Sequence, residues 1–158
     1  MRTEAAQACR KLLEAARAAL AALQAENEPA ALRVARIGVA SAYRDYAVDE
    51  RAWKNSFSKH YAKTQAKRES LPGGAHGDAA CAWFVEYLAP IKAPPGFSNH
   101  SDGKAVDFST EDGGTHYGPN TDQRKGWRGT WFHQWLVANA EQYRFHPLAS
   151  EEWHWDYR

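Results

Sequence analysis

Cysteine is scarce in this chain of 158 residues: Cys9 and Cys81 are the only two. That excludes a disulfide-rich scaffold and a four-cysteine metal site. A single disulfide would be possible outside the cytoplasm, and two buried free thiols are the equal alternative. Long apolar runs are missing too, so nothing reads as a bilayer-spanning helix. No excess of one charge is present either. Twenty Lys and Arg against nineteen Asp and Glu leave +1, which gives no reason to expect nucleic acid or an anionic membrane as partner. An export signal is not visible, because charges run through Met1–Leu20. Repeats, low-complexity tracts and long linkers are absent as well. The expectation is one domain over residues 1–158.

What the chain does have is aromatic residues, seven Trp, seven Tyr and six Phe. They can stabilise a small core or line a cleft, and composition does not choose between the two. Leu12, Leu13, Ala16, Leu20 and Leu23 recur at helical spacing, which predicts a helix over about 3–25, stopped by Asn27-Glu28-Pro29. Val34–Ser41 reads as a strand. A helix over about 47–67 would stack Trp53, Phe57 and Tyr61 four apart. Asp78 would cap a short helix to about Leu88. Residues 111–125 read as a polar loop, 126–143 as a helix, and 152–157 as a strand. The fold class expected is α+β, a small antiparallel sheet flanked by helices.

Chemistry concentrates in Ser98-Asn99-His100-Ser101-Asp102-Gly103-Lys104-Ala105-Val106-Asp107-Phe108. Asp102-Gly103 is a two-residue hairpin signal. A hairpin turning there would put Ser98, His100, Ala105 and Asp107 on one face of the ribbon. His100 and Asp107 would then be diagonal neighbours roughly 7–8 Å apart at the backbone, close enough to share one metal ion. His154, in the aromatic run Trp153-His154-Trp155, offers a third ligand. Two His and one carboxylate leave a fourth position for water, as in a catalytic zinc site. A nearby Glu could act as general base. Strand periodicity favours Glu152, on the face of His154; only a turn or bulge brings Glu151 there. His60, His76, His116, His133 and His146 read as surface or packing residues, and Asp156 as a solvated strand residue or a partner orienting a ligand.

Ser98-x-His100-x-x-Gly103-x-Ala105-x-Asp107 followed by Glu151-x-x-His154 resembles the signature of the D-Ala-D-Ala metallopeptidases. That family includes vancomycin-resistance carboxypeptidases and dipeptidases and related phage endolysins. Its wider fold group holds lysostaphin-type peptidases and the hedgehog signalling domain. The similarity spans about residues 34–157. It implies Zn2+ on His100, Asp107 and His154, with Glu151 as general base. Tyr43-Arg44 is similar to a family dipeptide, which implies that Arg44 steadies the oxyanion of the tetrahedral intermediate. Ser98 is similar to the first residue of the motif, which implies contact with substrate or support of a ligand.

The resemblance therefore implies a zinc peptidase acting on peptidoglycan stem peptides in the periplasm or cell wall, most often as a D-Ala-D-Ala carboxypeptidase. Without a visible signal peptide, such an enzyme would be delivered by phage or a dedicated secretion system, or the chain would be trimmed. Two alternatives stand beside it. One is a lytic endopeptidase cutting within stem peptides or cross-links. The other is a non-catalytic zinc-bearing domain that binds wall or protein, against which the presence of a Glu at the base position argues.

Overall fold

A computed structural model describes residues 1–158. The chain forms two compact units, residues 1–43 with 102–158, and residues 44–101. The fold class is α+β, with a small open antiparallel sheet and helices.

The first unit opens with helix α1 (Thr3–Ala25), which buries Ala5, Cys9, Leu12, Ala16 and Leu20 on one stripe. Asn27 ends it in the left-handed region at φ 59°, a conformation Asn tolerates better than most residues. A single helical turn, α2 (Pro29–Leu32), follows. Strand β1 (Val34–Ser41) matches the sequence reading to the residue. The other strands are β2 (Ala105–Asp112), β3 (Thr115–Tyr117), β4 (Phe145–Leu148) and β5 (Glu151–Tyr157). They run in the order β1-β2-β5-β4, with β3 paired to β2, all antiparallel.

The predicted hairpin over 97–108 does not form. Residues 99–103 are consecutive turns, and β2 begins only at Ala105. Both edges of β2 are instead taken by β1 and β5. Central position explains why Ala105, Val106, Asp107, Phe108, Ser109 and Thr110 are buried without alternation. Gly103, at φ 69°, is held against the chain start: Arg2 N–H donates to its carbonyl at 2.9 Å, and a Cβ there would lie 2.7 Å from Arg2 N. Only glycine fits that approach.

The region read as a loop over 111–125 holds the end of β2, a two-glycine turn and β3. The helix expected over 126–143 is three pieces: α6 (Arg124–Arg128), α7 (Trp131–Asn139) and a 3-10 turn over Ala140–Tyr143. Thr130 makes the break, because its hydroxyl caps α7 by accepting from His133 N at 3.2 Å. Val106, Phe108, Trp127, Phe132, Leu136, Phe145, Trp153 and Trp155 form the core with α1.

The second unit is helical: α3 (Tyr46–Lys63), α4 (Gln65–Glu69) and α5 (Asp78–Leu88). Gly77, not Asp78, occupies the N-cap position of α5. Trp53, Phe57 and Tyr61 do stack four apart, and Phe84 meets Phe57 and Tyr61 edge-on at 5.3 Å. The Arg68 guanidinium lies 3.4 Å over the Tyr61 ring.

Candidate active site

Sheet register builds half of the site. Asp107 on β2 stands directly opposite His154 on β5, so both side chains leave the same face of the sheet. Asp107 Oδ1 lies 3.1 Å from His154 Nδ1. His100 comes from the turn before β2, where its backbone N–H donates to Ser98 Oγ at 3.3 Å and its carbonyl accepts from Arg44 N–H at 3.3 Å. Ligand atoms of His100, Asp107 and His154 all lie within 4.8 Å of one another, and all three residues are buried. Two imidazoles and a carboxylate in so small a space form a donor set suited to a tetrahedral divalent ion.

His154 is held from its far side as well. Its Nε2 lies 3.0 Å from Asp156 Oδ1, and Asp156 is itself buried. Burial alone would lower the His154 pKa, but hydrogen bonds to Asp107 and Asp156 outweigh it and raise the pKa to about 9. Carboxylates on both sides of the ring thus favour its protonated form. A cation bound through Nδ1 would replace one proton and leave the Nε2–H bond to Asp156, the usual carboxylate support of a metal-ligating histidine. Asp156 is therefore not the solvated residue that strand patterning suggested as the default. The i, i+2 spacing from His154 was the available signal, since it places both on one strand face.

The two glutamates part company. Glu152 is buried, and Arg124 and Arg128 hold its carboxylate by bonds of 2.8 Å from each Nε. Hydrogen bonds from Arg124 first, and Arg128 after it, press the Glu152 pKa down to about 2. Glu151 is partly exposed, and its Oε2 lies 3.9 Å from His154 Nδ1. A slip in the β4–β5 pairing, with Pro147 opposite Trp155 and Leu148 opposite Glu151, turns Glu151 toward the imidazole face. A regular strand would have pointed it away.

Arg44 follows β1 and precedes α3. Its Nε is buried without a hydrogen-bond partner. Ser98 spends its hydroxyl on the His100 backbone, which supports the ligand turn. Arg124 and Arg128 were not singled out in the sequence, because only the fold brings them to Glu152.

A family model described as D-alanyl-D-alanine carboxypeptidase, VanY, matches residues 1–158. Solved structures share the fold. The LdcB LD-carboxypeptidase, described in terms of peptidoglycan recognition, aligns with TM-score 0.59 and 21% identity, over 99% of this chain and 58% of that one. VanYB in complex with D-alanine-D-alanine aligns with TM-score 0.50 and 20% identity, over 93% of this chain and 69% of that one. A VanY D,D-pentapeptidase variant in complex with Zn(II) aligns with TM-score 0.50 and 21% identity, over 93% and 70%. The chain thus spans 58% of the LdcB structure's length. No curated protein matches significantly.

Proposed function

We propose that this chain, which belongs to the VanY family, is a zinc-dependent peptidase of the bacterial cell wall that releases D-alanine from peptidoglycan stem peptides. The observation that carries the reading is the buried trio His100, Asp107 and His154, with ligand atoms within 4.8 Å. The VanY neighbour with Zn(II) and the VanYB neighbour with D-alanine-D-alanine support the choice of metal and substrate class.

When bound by His100, Asp107 and His154, zinc would supply Lewis acidity toward a carbonyl and a water. The chain's own groups do the rest. Glu151, partly exposed and beside His154, takes a proton from the attacking water and returns it to the departing amine. Arg44, with a buried Nε lacking a partner, meets the negative charge that develops on the carbonyl oxygen. Asp156 fixes the His154 ring so that Nδ1 stays directed at Asp107. Ser98 holds the His100 turn, and contact with substrate is its second proposed role.

The test incubates zinc-loaded protein with purified stem peptides and identifies products by mass spectrometry. Glu151→Ala should lower turnover by about 10²-fold or more while zinc stays bound. Loss of a single terminal D-Ala supports the proposal. Internal cleavage would replace it with an endopeptidase. Full activity of the Glu151→Ala chain would remove Glu151 from the mechanism. A zinc-loaded chain inert on every fragment would leave a binding domain.

A further inference from the structure

Beside Glu151 the strand is gripped in a way that catalysis by Glu151 alone does not require. Arg124 donates from Nε to Glu152 Oε2 at 2.8 Å and from Nη2 to Oε1 at 3.2 Å. Arg128 donates from Nε to Oε1 at 2.8 Å. Arg124 Nη2 also reaches the Ala149 carbonyl at 3.4 Å, and Trp155 Nε1 donates to the Glu152 carbonyl at 3.3 Å. Side chain and backbone of Glu152 are both pinned, and the pinning elements are α6 and β5 of one unit.

The grip falls where β5 leaves regular pairing. Between the Pro147–Trp155 and Leu148–Glu151 pairs, one step along β4 faces four along β5. Such a bulge forfeits ladder hydrogen bonds and persists only if other contacts hold it. It is also what brings Glu151 to the His154 side, where strand alternation would turn it away. Glu152, drawn toward α6, and Glu151, turned toward His154, are neighbours whose side chains must diverge.

We propose that Arg124 and Arg128 are positioning residues: by clamping Glu152 to α6 they hold the β5 bulge in the form that presents Glu151 to the metal-site imidazole. This rests on the reading of Glu151 as general base. A purely structural ion pair would stabilise the fold without favouring one catalytic step, and that difference is measurable.

The test uses the full chain with Arg124→Ala and Arg128→Ala combined, beside the Lys pair at the same positions. In the zinc-loaded enzyme, kcat on stem peptide should fall about tenfold or more, since small displacements of a catalytic group are costly. KM and zinc affinity should stay within about twofold, because the ligands and substrate contacts are untouched. The Lys pair should recover most of kcat. In metal-free protein, amide exchange over residues 149–152 should quicken while β2 stays protected. If β2 protection is lost as well, the isosteric Glu152→Gln takes the place of the alanine pair under the same criteria.

Unchanged exchange over 149–152, or kcat near the starting value, would overturn the clamp. So would zinc affinity falling in step with kcat, which would place the effect on His154. An unsubstituted enzyme without turnover would refute the proposed function instead, and the exchange data would still decide whether the clamp holds the bulge.

Discussion

At the residue scale, Glu152 is an acid-sensitive anchor. Its folded pKa of about 2 lies below the ordinary 4.5, so its ion pairs contribute full stability above about pH 5. That contribution fades as pH falls from about 4.5 toward 2, where the carboxylate becomes protonated. Arg124 is partly exposed and Arg128 is exposed, so solvent screens the pairs and the loss should be far smaller than the pKa shift alone would suggest. Comparing denaturant midpoints of the unsubstituted chain and Glu152→Gln should show a gap at pH 7 that closes near pH 2–3. The cysteines give a second prediction. Both are free, Cys9 buried and Cys81 exposed, and burial pushes the Cys9 thiol up to about 11. A thiol reagent at pH 8 should therefore label Cys81 promptly and Cys9 only after unfolding. Equal labelling rates would mean that α1 opens far more readily than its packing indicates.

At the scale of elements, the caps are the levers. Asp45 accepts from Val48 N at 2.8 Å and starts α3 directly after Arg44. Asp45→Ala should cost about 1 kcal/mol, read as a lower thermal midpoint. It should also weaken catalysis if Arg44 serves the oxyanion, because the cap sets where α3 begins. Long elements with one clear period were legible in the sequence: α1, β1 and α5 fall within a residue or two of their expected bounds. The hairpin at Asp102-Gly103 was misread because a turn signal says where the chain reverses, not whether its arms find each other. β1 and β5 take the two edges of β2, which leaves no edge for residues 97–101 to pair with. Short pieces such as β3, β4 and α2 carry too few residues for periodicity to register.

At the scale of the whole molecule, the site draws on residues 54 positions apart between His100 and His154. A ligand set absent from the unfolded chain makes metal binding part of the folding free energy. Zinc in about hundredfold excess over its dissociation constant should add about 2.7 kcal/mol and raise the thermal midpoint by several degrees, with reversal by a chelator. An unchanged midpoint with zinc would speak against a folded-state metal site. Phe132 gives an independent measure of the core, being fully buried and edge-on to Phe108 at 5.5 Å. Phe132→Ala should cost about 3–5 kcal/mol in chemical denaturation.

The identities and order of His100, Asp107, Glu151 and His154 lie in the sequence, because the metal ligation and proton transfer proposed for them demand particular side chains. The reading of two His, one carboxylate and a neighbouring base went by way of a hairpin at Asp102-Gly103 that does not form; β2–β5 pairing joins Asp107 to His154 instead. Which glutamate faces the imidazole could not be read from periodicity, and only the family motif pointed to Glu151. Strand alternation favours Glu152, and only the β4–β5 slip and the two arginines of α6 reverse that choice. Asp156 became a partner of His154 for the same kind of reason: register and burial, not residue type, decide whether a carboxylate meets solvent or an imidazole. Local sequence sets the chemistry on offer, and long-range pairing decides which groups meet, because pairing energy comes from contacts between segments that periodicity treats one at a time.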